Sequence, residues 1–346
     1  MRTSRAVALG VVGAVLSAGL AACGSGTTGS TGTTGTTGTT ASAPPAAQAG
    51  TAAADAAVFP RTVKHAMGET TIAARPARVV ALDQSFVDAV LTLETDVVGF
   101  TTYRAIDEKL PDYLTPVLGH AGQARSVGTL EQPSLEQIIA LKPDLIVSAK
   151  VRHEALYDKL SKIAPTVFSE TTGAIWKENL RLMGQTLGKE DLAEQKIKAY
   201  QDRAATIGES IKKKAGELPT VSVVRFAGEP TVRLYVENSY SGLVLKDVGF
   251  PRPKDQPTTT ETIAVDISQE NISQLDADHI FVASYPDPAV EPIKKKFEAN
   301  PLWGRLKGAK HDVTDVVWMS AVGIQGAHAV LDDVATVFGV DPARAA

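Results

Sequence analysis

Ser134-Leu-Glu-Gln-Ile-Ile-Ala-Leu-Lys-Pro-Asp-Leu-Ile146 returns 134 residues later as Ser268-Gln-Glu-Asn-Ile-Ser-Gln-Leu-Asp-Ala-Asp-His-Ile280. Ser134, Glu136, Ile138, Leu141, Asp144 and Ile146 each meet an identical residue in step. Both copies read the same way physically. The Ser is a helix N-cap, and Gln137 or Asn271 three residues on can complete a capping arrangement. Ile138 with Leu141, and Ile272 with Leu275, fall on one helical face. The Asp ends the helix, and an apolar strand follows at 145–148 and at 280–283. Short apolar strands bounded by helices point to parallel α/β sheets, so each copy marks one lobe.

Further strands group around the two units. Residues 78–82, 97–100 and 166–169 belong to the first lobe. Residues 221–226, 232–236 and 316–319 belong to the second. Between them, 175–187 has helical spacing of apolar residues and stops at Gly188. Residues 189–215 then run without Pro and with only Gly208 inside. A helix of about 25 residues measures roughly 38 Å, enough to cross from lobe to lobe. The expected fold is therefore α/β: two Rossmann-like lobes with mainly parallel sheets, joined by one long rigid helix. The expected divisions are an N-terminal lobe at 58–172, a helical connection at 173–217 and a C-terminal lobe at 218–346.

The N-terminus reads as an export signal. Arg2 and Arg5 precede the uncharged run 6–22, which is short for a membrane span but fits a signal-peptide h-region. It ends in Leu20-Ala21-Ala22-Cys23-Gly24, similar to a bacterial lipobox, and Cys23 is the one Cys of the chain. Cys23 is expected to carry lipid that holds the protein to the outer face of the membrane. The Gly-, Thr-, Ser- and Ala-rich stretch to residue 57 cannot build a core and is expected to be a disordered tether.

Composition excludes several classes. A net charge of −4 argues against a nucleic-acid partner. Six His are scattered without metal-ligand spacing, so no direct metal site is expected. There is no Gly-x-Ser-x-Gly and no Cys nucleophile in the globular part. Asp83-Gln84-Ser85 after the first strand has no base to activate it, so an enzyme is not expected.

An ordered set of segments resembles the iron-siderophore substrate-binding proteins of ABC importers. They are Arg78-Val-Val-Ala-Leu-Asp83, Pro133-Ser-Leu-Glu136 with Leu141-Lys-Pro-Asp-Leu-Ile146, Tyr157-Asp-Lys-Leu160 with Ile163-Ala-Pro165, Asn300-Pro-Leu-Trp303, and Trp318 with Val330-Leu-Asp-Asp333. The resemblance implies a monomer that captures a ferric siderophore between its lobes and delivers it to an ABC permease. Iron would be bound only through the siderophore, with no cofactor. Hydroxamate or mixed citrate-hydroxamate ligands suit a cleft with a few Arg and aromatics. Haem, cobalamin and ferric catecholates are alternatives on the same fold, and a structural envelope lipoprotein is a more distant one.

Candidate ligand contacts follow from ligands sitting at the carboxyl ends of strands. Arg152 follows strand 145–148, and in similar proteins the Arg ahead of Tyr-Asp-Lys-Leu contacts the siderophore. Tyr103 and Arg104 follow strand 97–100, and Tyr285 follows strand 280–283. Arg225 sits inside Val-Val-Arg-Phe, where a charge needs a partner: it either reaches the cleft, the favoured reading, or meets a buried carboxylate. Trp318 is expected at the ligand by resemblance, with core packing as its alternative. Arg233 and Tyr240 complete the set, while Trp176 and Trp303 read as structural. Glu136 and Glu270 stand in the first turns of their helices, where a carboxylate suits the dipole. The resemblance also makes them permease-docking residues, one per lobe.

Overall fold

The computed structural model describes residues 58–103 and 109–344. The signal peptide, Cys23, the tether and Arg104 lie outside the described residues. A hairpin comes first, β1 (Arg61–His65) paired antiparallel with β2 (Gly68–Ile72). The first lobe is a five-stranded, wholly parallel sheet: β3 (Val79–Ala81), β4 (Val97–Thr102), β5 (Arg125–Thr129), β6 (Leu145–Ala149) and β7 (Thr166–Ser169), in the order β5-β4-β3-β6-β7. The second lobe repeats the plan with β8 (Val221–Phe226), β9 (Val232–Tyr235), β10 (Ala264–Ile267), β11 (His279–Ser284) and β12 (Ala309–Thr314), in the order β10-β9-β8-β11-β12. Here β9 runs antiparallel to both its neighbours.

The helices that position the lobes are α1 (Gln84–Thr92), α2 (Leu135–Leu141), α3 (Trp176–Leu187), α4 (Glu190–Ala215), α5 (Tyr240–Val248), α6 (Glu291–Glu298) and α7 (Ile324–Phe338). α4 is the expected long helix, 26 residues and about 39 Å. Glu190 and Asp191 open it and Lys212, Lys213 and Lys214 close it, matching its dipole. Its buried side is Ala193, Ile197, Tyr200, Ala204, Ile207 and Ile211. Gly208 is its closest approach to α5, since a Cβ there would run into the Val248 carbonyl.

The repeated sequence does the same work in each lobe. Ser134 caps α2 by accepting from the Gln137 N–H at 3.3 Å. Asp144 accepts from the N–H groups of Ala77 and Arg78, each at 2.9 Å. Asp278 accepts from the Thr220 N–H at 2.8 Å and the Thr220 hydroxyl at 2.7 Å. Both Asp thus clamp the chain entering the central strand, β3 or β8, beside the start of the next, β6 or β11. The second helix differs from expectation: Gln269–Leu275 is 3-10 rather than α, and the Ser268 side chain makes no capping bond to a backbone N–H.

One core runs through both lobes. Val79 and Phe86 of the first, Trp176 and Tyr200 of the connection, and Val223, Phe281 and Trp318 of the second belong to one apolar cluster. The outer faces of the two sheets form separate clusters.

The lobes also meet through one buried carboxylate. Asp88 of α1 is fully buried. It accepts from the backbone N–H groups of Ile324 (3.1 Å), Gln325 (2.9 Å) and Gly326 (3.2 Å), the first turn of α7, and from the Thr92 hydroxyl (3.3 Å). A residue of one lobe thus caps a helix of the other. A Cβ at Gly323 would collide with this carboxylate, so glycine permits the approach. Burial pushes the Asp88 pKa up to about 7, against the pull of Gln325, Gly326, Thr92 and Ile324. Asp88→Ala orphans three buried backbone donors and should lower stability to urea by about 3 kcal/mol or more. A loss below about 1 kcal/mol would mean that the cap does not hold the lobes.

Candidate functional site

The central strands β3 and β8 both end at the junction between the lobes, and a cleft of about 290 Å³ opens there. From the first lobe it is lined by Gln84 after β3, Tyr103 after β4, and Lys109, Leu110, Pro111, Asp112 and Tyr113. The second lobe faces it with Thr314 at the end of β12 and with Val316, Val317 and Ser320. A smaller recess of about 40 Å³ shares Gln84, Tyr103 and Ser320 and adds Asp83, Arg152, Met319 and Val322.

The second-lobe wall corrects an expectation. Residues 316–319 were expected as a strand, but Val316–Ser320 is a π-helical turn. The strand lies earlier, at β12, whose Ala-Lys-His-Asp-Val-Thr carries little apolar signal because it is a half-exposed edge. An apolar run of four cannot separate strand from helix by periodicity. Val322, just after the turn, has φ +41°, a strained value for a β-branched residue and of a kind that collects at ligand sites.

Of the expected contacts, Tyr103 lines the cleft and Arg152 the adjoining recess, while Tyr285 is buried behind Tyr103 and lines neither. Arg152 donates from Nε to Asp83 at 3.0 Å and is about one-third exposed. Tyr103 reaches across to Tyr285, edge to face, with ring centres 6.4 Å apart.

Arg225 takes the other of its two readings. Its Nε and Nη2 donate to the two oxygens of Asp315 at 2.6 and 2.9 Å, and its Nη1 lies 3.3 Å from the Tyr235 hydroxyl. Both partners are buried. Burial works against the Arg225 charge, but Tyr235 and Asp315 outweigh it and raise the pKa above the ordinary Arg value. The guanidinium also lies over the Tyr285 ring, 5.5 Å from its centre. It therefore supports the cleft wall from behind, with its charge already met.

Trp318 is likewise in the core: it is fully buried, stacks on Phe281 at 4.6 Å and donates its indole N–H to Asp333 at 2.8 Å. Tyr240 is buried and donates to the Gly323 carbonyl at 2.8 Å, beside the Asp88 cap. Arg233 pairs with Glu229 on the second lobe and does not line the cleft. Trp176 packs edge to face on Tyr200 at 5.0 Å, and Trp303 lies in the outer core of the second lobe.

Among the cleft residues that the sequence left aside are Gln84, Lys109 and Tyr113. Gln84 donates to the Thr101 carbonyl at 3.0 Å, while its Oε1 and the Tyr113 hydroxyl are buried without a hydrogen-bond partner among the described residues. Burial pushes the Tyr113 pKa up. The strand-end rule that selected Tyr103 applies equally to Gln84, directly after β3. Lys109 and Tyr113 follow no strand and carry no such signal. Among the described residues no group of three or more His, Cys, Asp or Glu is set to hold a metal ion.

Glu136 and Glu270 are both exposed. Each follows the carboxyl end of an edge strand, β5 or β10, at the start of the crossover to the fourth strand of its sheet. The two positions are equivalent in the repeated topology.

The family profile described as periplasmic binding protein matches residues 79–313. The chain belongs to that family. It is similar to the probable siderophore-binding lipoprotein YfiY of Bacillus subtilis strain 168, 38% identical over 295 residues that cover 80% of this chain and 87% of the relative. It is similar to the Fe(3+) dicitrate-binding periplasmic protein FecB of Escherichia coli K12, 29% identical over 293 residues, 82% and 92% of the two chains. Among solved structures, Staphylococcus aureus SirA complexed with staphyloferrin B superposes with a TM-score of 0.73 at 33% identity, over 82% of this chain and 99% of that one. The family binds solutes and does not transform them. Two α/β lobes on a long connecting helix are its architecture, as in this chain.

The Arg225–Asp315 reading is testable by stability. Asp315→Ala should cost about 3–5 kcal/mol, because it strands a buried guanidinium. Replacing both partners by Met should cost clearly less than either single change. Full stability of Arg225→Ala with loss of ligand binding would return Arg225 to the cleft.

Proposed function

We propose that this protein captures a ferric siderophore in the cleft between its lobes and hands it to an ABC permease at the outer face of the cell membrane. The observation that carries the reading is the cleft at the carboxyl ends of the sheets, with donors from Arg152, Lys109 and Tyr103 on the first-lobe side and apolar Val316, Val317 and Met319 on the second. Arg152, Lys109 and Tyr103 offer donors to the oxygens of a chelate. Val316, Val317 and Met319 offer apolar surface to its periphery. The chelate supplies the ligands of Fe³⁺, so the protein needs none.

The class of chelate narrows on charge. With Arg225 matched by Asp315, the cleft is less basic than three Arg would make it. That suits a complex of modest charge better than a highly anionic tris-catecholate. The sequence leaned to hydroxamates or mixed citrate-hydroxamates. The relative named for Fe(3+) dicitrate is compatible with the citrate side of that range. Tryptophan-fluorescence titration with ferric citrate, ferric staphyloferrin B, ferrioxamine B, ferrichrome and a ferric tris-catecholate tests the choice. Tightest binding is expected among the first three, and Arg152→Ala should weaken it at least about tenfold. Binding of the tris-catecholate alone would overturn the class. A Soret or corrin band in the purified protein would move the reading to haem or cobalamin.

Delivery is the role of Glu136 and Glu270. Equivalent exposed carboxylates on two lobes of like topology suit docking onto a permease with two-fold symmetry. Lipid on Cys23 and the 23–57 tether would keep the cleft near that permease. Reversing both charges, Glu136→Lys with Glu270→Lys, should abolish import of the bound chelate and leave its affinity within about twofold. Unchanged import would remove the docking role.

A further inference from the structure

Asp83 lies two residues past β3 as the N-cap of α1, is buried, and has both carboxylate oxygens engaged. Oδ1 accepts from the Ser85 N–H at 2.9 Å and the Ser85 hydroxyl at 2.8 Å, capping α1. Oδ2 accepts from Nε of Arg152 at 3.0 Å. The Asp83 side chain is 3% exposed and that of Arg152 is 36%, so the pair reaches from the cleft floor to its opening. Nε is the inner edge of the guanidinium. With it engaged, the plane of the group is set, and the two terminal amino groups have no hydrogen-bond partner among the described residues.

The turn that carries Arg152 is anchored separately. The next residue, His153, is buried, with Nε2 2.6 Å from the Leu130 carbonyl and Nδ1 2.7 Å from the Ser148 hydroxyl. Burial lowers the His153 pKa and favours the neutral ring. A carbonyl only accepts, so Nε2 carries the proton and Nδ1 accepts from Ser148. The backbone at Arg152 is therefore fixed by His153 and the guanidinium by Asp83.

We propose that Asp83 is a positioning residue for ligand capture: it aims Arg152 so that both terminal amino groups meet two oxygens of one carboxylate-type group on the ferric chelate. A free Arg loses rotamer freedom when it binds, whereas one already held by Nε loses little. The guanidinium fork matches a two-oxygen acceptor end-on, which a Lys cannot reproduce. The inference deepens the ferric-siderophore reading and rests on it. Asn is as good an N-cap as Asp, so Asp83→Asn keeps α1 capped and removes the charge facing Arg152.

The test is a double-mutant cycle read by fluorescence titration with ferric citrate and ferrioxamine B on wild type, Asp83→Asn, Arg152→Ala and the double variant. Asp83→Asn should weaken the tighter chelate by about fivefold or more in the wild-type background, and by less than about twofold on top of Arg152→Ala. Equal losses in both backgrounds would overturn the positioning role, since Asp83 would then act without Arg152. Loss in Arg152→Ala with none in Asp83→Asn would overturn it while leaving the ferric-siderophore reading standing. Failure of wild type to bind either chelate would count against that reading, and this inference with it. A ligand-free readout covers a variant that does not fold: the Arg152 Nε–H should give a hydrogen-exchange-protected NMR signal in wild type. A rapidly exchanging signal there would contradict the proposal on its own.

Discussion

The buried carboxylate of Asp88 is the constraint around which the two lobes are arranged. It belongs to α1 of the first lobe, yet it accepts the first-turn N–H groups of α7 in the second. Both walls of the cleft lead straight to it. On one side Asp83 and Gln84 begin the helix that contains Asp88. On the other, the π-helical turn and the strained Val322 run directly into Gly323 and the capped end of α7. The relative position of the walls is thus set by hydrogen bonds to one buried carboxyl group, reinforced by Tyr240 on the Gly323 carbonyl and by the shared apolar core. α4 adds a 26-residue strut, tied to α7 by Arg203, which pairs with Asp332 and donates to the His328 carbonyl at 3.0 Å. A junction with this much buried polar and apolar contact favours small adjustments of the lobes over a wide hinge.

Within that frame the two lobes line the cleft with different groups. The first provides Arg152, Lys109, Tyr103 and Gln84, groups that can meet charge or hydrogen-bonding atoms, beside Asp112 and the apolar Leu110 and Pro111. The second provides Val316, Val317 and Met319, with Ser320 and Thr314 as minor polar points. Arg225 shows how the asymmetry arises. A cation in the second sheet is present, but Asp315 holds it bidentately behind the wall, so it stiffens the turn that follows Asp315 without presenting charge to the cleft. The polar core of a ferric chelate would then rest on the first lobe and its periphery on the second.

Much of the fold was legible because it is written in local patterns. The repeated Ser-x-Glu-x-Ile unit located both crossover segments, and apolar β-branched runs located the central strands; 166–169 and 221–226 match β7 and β8 in full. The uninterrupted polar-apolar run after Gly188 located α4. What escaped were edge elements: the β1–β2 hairpin, β5, β10 and β12 are partly exposed and carry mixed side chains. The site was less legible because it depends on pairing across sequence distance. Arg225 is 90 residues from Asp315, and Arg152 is 69 residues from Asp83. A charge in an apolar strand announces that a partner exists but does not say whether the partner is a ligand or a carboxylate. The same ambiguity holds for Trp318, whose apolar neighbours fit a core and a cleft wall equally well.

The account's central claim is that a ferric chelate sits between the first-lobe donors Arg152, Lys109 and Tyr103 and the Val316–Ser320 turn of the second lobe, whose spacing is preset. Crystals grown with ferric citrate or staphyloferrin B, with data collected at the iron absorption edge, test it directly through the anomalous signal of the metal. The account predicts one strong iron peak in the cleft, between Arg152 and the Val316–Ser320 turn, with the Asp88 bonds to α7 intact. A peak elsewhere on the chain, or iron in the cleft with the Asp88 cap broken and the lobes rotated apart, would contradict it.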